Sequence, residues 1–327
     1  MCKKPLSVVI LAAGKGTRMK SDLPKMLHPL LGKPMVGYVL DAAKSLKPAK
    51  NIMVVGHQAE RVREAFRGWI GTFVNQSPQL GTGHALKVTQ KELGSFQGTV
   101  LVLSGDVPLI EKGTLKKLLR FHLRGRAVLT LISTAVKDPK GYGRIIRDPQ
   151  KQLVRIVEEK EASQQERLIR EINTGLYAFD SEFLFSALSG LTRKNRQKEY
   201  YLTDLVQSAR EKGLPMAVLC HSNPEEVLGI NDREELARSG QVLRQRILKE
   251  WMHRGVTIID PLTTYIEGTV QIGPDTVIAP FTSIRGKTRI GSHCEIQSHV
   301  VIDAATLENG IAIPPFSLIK NKNIKRE

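Results

Sequence analysis

The sequence predicts an α/β domain on a mostly parallel sheet, followed by a short hexapeptide-repeat parallel β-helix. Three observations carry that prediction. From Leu6 to about Val136, apolar runs of strand length alternate with helical patterns, as in a parallel sheet covered on both faces. Further on, Ile266, Ile272, Ile278, Ile284, Ile290, Ile296 and Ile302 recur every six residues. Neither a 3.6-residue helix nor an alternating strand accounts for a strict six, whereas a β-helix turns one aliphatic residue per hexad into its core. Finally, a glycine-bearing turn with fixed cations follows the first strand directly.

The strands of the first part read as Leu6–Leu11, Ile52–Val55, Val100–Leu103 and Val128–Ala135, with helices over Met35–Leu46, Ala59–Phe66, Gly83–Leu93 and Thr114–Arg124. Ligands of such sheets sit at the carboxyl ends of the strands. Gly14–Lys25 and Gly105–Asp106 both follow strands, so both are expected on that edge. From Gly141 to about Leu219 the pattern changes to short strand-like pieces, including Ile145-Ile146, Leu153–Val157 and Gly175–Phe179. They read as an insertion that covers the sheet edge. Asp232 to about Met252 is a polar helix linking the two parts. Val256–Ile319 holds about three and a half coils at three hexads per coil.

Composition narrows the function classes. The chain has 327 residues, 41% hydrophobic and 25% charged, enough for two domains with cores. Cys2, Cys220 and Cys294 are scattered, with neither a disulfide framework nor zinc spacing, which suits a reducing cytoplasm. The N-terminal apolar run is about ten residues, too short for a bilayer span, so no membrane insertion is expected. The net charge is +17, with dense stretches at Arg193–Lys198 and Lys320–Arg326. Aromatics are only 5% and no RNA-binding signature accompanies the cations. Steering of an anionic nucleotide explains part of this charge better than nucleic-acid binding does.

The opening turn is Leu11-Ala12-Ala13-Gly14-Lys15-Gly16-Thr17-Arg18-Met19, followed by Leu23-Pro24-Lys25. Backbone N–H groups in such a turn can face a phosphate, and Arg18 and Lys25 add full charges. The Gly-Lys-Ser/Thr of a P-loop is missing, and Met19 stands where a dinucleotide fingerprint needs a third Gly or Ala. Gly14 and Gly16 alone would equally suit an ordinary strand-to-helix turn. With Thr17-Arg18-Met19 and Pro24-Lys25, the stretch resembles the signature of sugar-nucleotide pyrophosphorylases.

That resemblance continues along the chain. Asn75–Ala85 is similar to the uracil-binding segment of bacterial N-acetylglucosamine-1-phosphate uridyltransferases, and Ser104–Leu109 to their metal-binding turn. Gly141–Arg144, Ile156–Lys160, Glu171–Gly175, Glu199–Asp204 and Gly229–Asn231 follow in family order. The resemblance implies a Rossmann-like nucleotidyltransferase domain over 1–231, a linking helix at 232–252 and a left-handed β-helix over 253–327. It implies UTP and N-acetylglucosamine-1-phosphate as substrates, and a homotrimer through the β-helix. Other readings stay open: another sugar-1-phosphate, such as glucose-1-phosphate, thymidylyl transfer, or a non-catalytic sugar-nucleotide-binding regulator.

The resemblance also assigns residues. Arg18 and Lys25 are the catalytic cations. Leu11, Ala12, Gly14, Gln76, Gly81 and Thr82 would hold the nucleotide, and Gly141, Glu158, Asn173 and Thr203 the sugar phosphate. Asp106 and Asn231 would hold Mg2+, a hard cation suited to oxygen ligands. Taken singly, Asp106 and Asn173 also suit turns and Asn231 a helix cap. His84 reads as a packed or capping residue. Ser104 departs from the aromatic residue that some members carry before Gly-Asp. The longer β-helix of many relatives carries acetyltransfer motifs with no counterpart before Glu327, so uridylyl transfer without acetyl transfer is expected.

Overall fold

A computed structural model describes residues 4–325 of the chain. Cys2 and Arg326 lie outside them. Two compact units emerge: Met1–His28 with Met35–Asp232, and Pro29–Pro34 with Arg233–Glu327.

In the first unit, nine strands form one sheet. In chain order they are β1 (Leu6–Leu11), β2 (Lys50–Val55), β3 (Thr72–Asn75), β4 (Thr99–Ser104), β5 (Leu129–Ala135), β6 (Arg144–Arg147), β7 (Leu153–Val157), β8 (Glu171–Asp180) and β9 (Met216–His221). Their spatial order is β9-β5-β8-β4-β1-β2-β3, with β6 pairing β8 and β7. The run β3-β2-β1-β4 is all parallel. The chain leaves β1 toward β2 and β3, then returns to β4 on its other side. The order therefore reverses between β1 and β4, where ligands of doubly wound sheets bind. Leu11, at the end of β1, pairs with Ser104, at the end of β4.

Both faces are covered. Val9, Val54, Val102 and Leu131 point into one apolar layer with helices α1 (Thr82–Lys87), α2 (Ser181–Ser189) and α3 (Asp204–Glu211). Val8, Ile10, Met53, Val55 and Leu103 point into the other, against Met35–Lys44 and Lys112–Arg124. Alternate residues of one strand thus reach opposite cores, which is why these strands read as unbroken apolar runs.

Three details differ from the sequence reading. The strand expected at Gly175–Phe179 is the end of a ten-residue strand, β8, in the middle of the sheet and antiparallel to β4 and β5. Leu176, Tyr177, Ala178 and Phe179 are all buried, so they belong to the main core and not to a cover. The helix expected over Gly83–Leu93 breaks after Lys87 and resumes at Gln90. Thr89 lies at the break, its hydroxyl bonded back to Leu86 O at 2.7 Å. Finally, β3 adds an edge strand whose four residues carried too short a pattern to announce it.

The second unit contains a helix, Arg233–His253, and a parallel β-helix of three four-stranded sheets. Ile266, Ile284, Ile302 and Ile319 stack on one sheet, one per coil. Ile272, Ile290, Leu307 and Ile324 stack on another. All but Ile324 are at least 93% buried. The six-residue count slips by one twice, from Ile302 to Leu307 and from Ile319 to Ile324, with Ile313 and Ile319 in step between them. Leu248 and Trp251 of the helix pack into the same core. Phe281, His299 and Phe316 stack outside successive coils with centroids 4.9 Å apart. No helix among the described residues is long and apolar enough to cross a membrane.

Candidate active site

The turn after β1 is shaped by contact with Lys25. Gly16 adopts a left-handed φ of 63°, and a Cβ there would lie 2.5 Å from Lys25 Cβ. A side chain at position 16 would therefore push the lysine away. The far end of the turn is tied down where Arg61 Nη1 and Gln58 Nε2 donate to Asp22 O at 2.7 and 3.1 Å. Pro24 then starts a single 3₁₀ turn, Lys25–Leu27, that buries Lys25 to 8% exposure. At Gly14 a Cβ would meet nothing within 4 Å, so its backbone faces open space.

Asp106 arrives from the end of β4. Gly105 N–H donates to Leu11 O at 2.9 Å, which fixes this turn against β1. Ile230 N–H donates to Asp106 O at 2.8 Å and draws in the segment carrying Asn231. Lys25 Nζ donates to both Asp106 Oδ2 and Asn231 Oδ1, at 2.5 and 3.1 Å. Ser104 Oγ donates to Asp106 Oδ1 at 2.7 Å. Burial alone would raise the Asp106 pKa, but the charge and hydrogen bond of Lys25, with help from Ser104, hold it below the usual carboxylate range. Ser104 thus steadies the carboxylate.

These groups line a cavity of about 560 Å³. Leu11, Gly14, Arg18, Lys25, Asp106 and Asn231 face it, joined by Gln76, Gly81 and Thr82. Arg18 is exposed, and no side chain among the described residues engages it. Gln76 is 4% exposed, and its Nε2 donates to Gly81 O at 2.8 Å. Gly81 has φ 96°, and a Cβ there would strike Tyr200 O at 2.6 Å, so only glycine fits. Thr82 accepts from Leu202 N–H. Ala12 does not face the cavity. Its side chain packs in the core and its N–H donates to Val54 O at 2.8 Å. His84 stacks on Tyr200 and contacts Gln76, with its pKa lowered by burial and by Lys87.

A second cavity of about 220 Å³ adjoins the first. Leu11, Thr82, Ser104, Asp106 and Asn231 face both. Gly141, Glu158, Asn173 and Thr203 face the second. Thr203 Oγ1 donates to Glu158 Oε1 at 2.9 Å. Burial raises the Glu158 pKa and the Thr203 bond offsets only part of that rise. The Gly141 loop is set by Glu159, whose Oε2 accepts from Gly141 N–H and from Arg144 Nη2. Arg144 is 1% exposed and also donates to Tyr142 O. A methyl group on Gly141 would lie 3.6 Å from Arg18 Nη1, so that guanidinium hangs beside both cavities.

Sequence reasoning missed the role of Ser104 and the Arg144–Glu159 brace, and it gave Glu199 and Tyr177 none. Glu199 faces the larger cavity and Tyr177 the smaller. Glu199 lies in a quoted family segment, Glu199–Asp204. Tyr177 reads from sequence only as a core residue of a strand.

A nucleotidyl transferase family profile matches residues 7–225, and a bacterial transferase hexapeptide profile of six repeats matches residues 269–304. The chain belongs to the nucleotidyl transferase family. It is a nucleotidyltransferase by that membership. It is 44% identical over 324 residues to the bifunctional protein GlmU of Pelobacter propionicus, covering 98% of this chain and 70% of that one. To the bifunctional protein GlmU of Syntrophotalea carbinolica it is 45% identical over 319 residues, covering 98% and 68%. To that of Geotalea uraniireducens it is 46% identical over 315 residues, covering 96% and 69%.

The donor set at Asp106 suits a divalent cation. The carboxylate and the Asn231 amide oxygen converge on one point, the Lys25 ammonium. No cluster of three or more His, Cys, Asp or Glu occurs among the described residues. Two hard oxygens suit an ion such as Mg2+, which keeps places for phosphate oxygens and water.

Proposed function

We propose that this nucleotidyltransferase is a sugar-1-phosphate uridylyltransferase of the UDP-N-acetylglucosamine diphosphorylase type. A phosphate oxygen of N-acetylglucosamine-1-phosphate forms a bond to the α-phosphorus of UTP. The bond from that phosphorus to the oxygen bridging the β-phosphate breaks, and pyrophosphate leaves. The observation that carries the reading is the meeting of Arg18, Lys25, Asp106 and Asn231 at one cavity that shares a wall with a second, smaller one.

The attacking phosphate is already anionic near neutral pH, so no general base is needed. The difficulty is holding two polyanions in line, which positioning and charge neutralisation overcome. Arg18, exposed on the larger cavity, takes the leaving pyrophosphate. Lys25 serves the transferring phosphoryl group. Leu11, Gly14, Gln76, Gly81 and Thr82 hold the nucleotide, with Gln76 and Gly81 reading the uracil edge. Gly141, Glu158, Asn173 and Thr203 hold the sugar phosphate. Asp106 and Asn231 hold a divalent cation, Mg2+ by preference, which neutralises phosphate charge when bound.

The reading carries with it a cytoplasmic location, a catalytic domain over 1–231 joined by a helix at 232–252 to the β-helix, and a homotrimer through that β-helix. Pyrophosphate release from UTP, with N-acetylglucosamine-1-phosphate set against other sugar phosphates and other nucleotides, tests it. Fastest release with that pair supports the assignment. Faster release with glucose-1-phosphate or a thymidine nucleotide overturns it.

A further inference from the structure

Tyr177 sits in the middle of the sheet, 1% exposed, with its ring stacked on Phe179 at 5.5 Å. Its hydroxyl is buried and lies beside the Asn173 side chain, but no group among the described residues meets it in hydrogen-bonding geometry. An unpaired buried hydroxyl costs about 1–3 kcal/mol, and native proteins keep few of them. A phenylalanine would fill the same space without that cost. With Asn173 beside it out of hydrogen-bonding geometry, the hydroxyl still has room for a better-placed partner from the cavity.

Position says where that partner comes from. Of the buried side chains with an unpaired polar atom among the described residues, only Tyr177 lines either cavity of the site. It lines the smaller one, beside Glu158 and Asn173. The irregularity in β8 arranges this: pairing with β5 passes from Asn173–Ser133 to Tyr177–Leu131, four residues against two. Bulges of this kind re-aim side chains beside active sites. Neighbouring groups are already engaged. Glu158 accepts from Thr203, Thr174 Oγ1 donates to Ile132 O, and Asn173 Oδ1 accepts from Gly175 N–H. Burial, then the Glu158 charge, pushes the Tyr177 pKa up against a weaker opposing pull from the Asn173 side chain, so the phenol stays a neutral donor. Glu158, an acceptor, suits the sugar's hydroxyl donors, which leaves the phenol to serve an acceptor oxygen.

We propose that Tyr177 is a specificity-determining residue whose hydroxyl donates a hydrogen bond to an oxygen of the bound sugar. The proposal rests on the sugar-1-phosphate reading of the site. The acceptor is either the acetamido carbonyl or a ring hydroxyl, and comparison of N-acetylated with unsubstituted sugars separates them.

The test is Tyr177→Phe, assayed for pyrophosphate release beside the wild type, with melting followed without ligand. The expected result is a KM for the sugar phosphate raised about 3- to 10-fold, the loss of one neutral hydrogen bond. The KM for UTP stays within about twofold, and the melting temperature is unchanged or higher because the unpaired group is gone. A rise confined to N-acetylated sugars assigns the carbonyl; an equal rise for all sugars assigns a hydroxyl. An unchanged sugar KM overturns the proposal and leaves the hydroxyl to a buried water. A lower melting temperature with both KM values raised also overturns it, because that is a packing role. If the wild type uses no sugar phosphate, the functional reading has failed and this proposal falls with it.

Discussion

The Lys25 ammonium lies 2.5 Å from Asp106 Oδ2, and it also reaches Asn231 Oδ1, the two oxygens assigned to a divalent cation. One positive charge therefore sits where the proposed function puts another. Lys25→Met should remove that competitor, so Mn2+ binding without nucleotide, followed by electron paramagnetic resonance, should tighten. Turnover should fall by about 10²- to 10³-fold, as for loss of one fixed donor to a developing charge. Equal Mn2+ affinity in the two proteins would separate the lysine from the cation seat. Asp106→Ala should abolish turnover while the fold survives.

Gln76 is expected to act on the nucleotide and not on the sugar. Its amide is held by Gly81 O, and it faces the larger cavity only. Gln76→Ala should raise the KM for UTP about tenfold, the size of one lost hydrogen bond in a buried site. Preference for UTP over CTP should weaken, and the sugar KM should hold. Initial-rate kinetics with both substrates varied would check this, and an intact base preference would remove Gln76 from uracil reading.

Acid should destabilise the fold through His122. This histidine is 3% exposed, accepts or donates at Thr130 Oγ1, 3.0 Å away, and has its pKa lowered to about 4 by burial, with Asp180 opposing and Lys4 assisting. The unfolded chain titrates near 6.5 and so binds more protons than the fold between 6.5 and about 4. Stability is then full above that window and falls as pH drops through it, by at most about 1.4 kcal/mol per pH unit. Urea unfolding at several pH values should show this slope in the wild type and a shallower one in His122→Gln. Parallel slopes would assign the acid sensitivity elsewhere.

The β-helix should be sensitive to any gap in its ladder. Ile284 is fully buried between Ile266 and Ile302. Ile284→Ala should cost about 2–5 kcal/mol, since transfer and cavity effects add. Thermal unfolding followed by circular dichroism would measure it. A change near zero would mean that neighbouring coils collapse onto the space.

How far the sequence discloses this molecule depends on the range of the signal. The strand Leu6–Leu11 and the six-residue isoleucine ladder are local and periodic, and both appear where the pattern places them. Most residues assigned to the site also come together. Leu11, Arg18, Lys25 and Asp106 meet because the ends of β1 and β4 are neighbours on the edge where the sequence places both turns, and Asn231 joins them where Ile230 N–H donates to Asp106 O. Ala12 shows the limit: its neighbours Leu11 and Ala13 face the larger cavity while Ala12 packs inward. The central place of β8 was hidden because an antiparallel strand entering from a distant segment leaves no local mark. Ser104 was read as a departure, yet its hydroxyl bond to Asp106 depends on a rotamer that no spacing reveals.

The wall common to the two cavities has an evolutionary consequence. Leu11, Thr82, Ser104, Asp106 and Asn231 form that wall, and the residues that the proposed function gives to the sugar lie on its far side, in the stretch from Gly141 to Thr203. On that proposal, a lineage could recut the stretch for a new carbohydrate and leave the residues around the larger cavity as inherited. Change of diet at one door, with the other door untouched, is the kind of variation this arrangement makes easy.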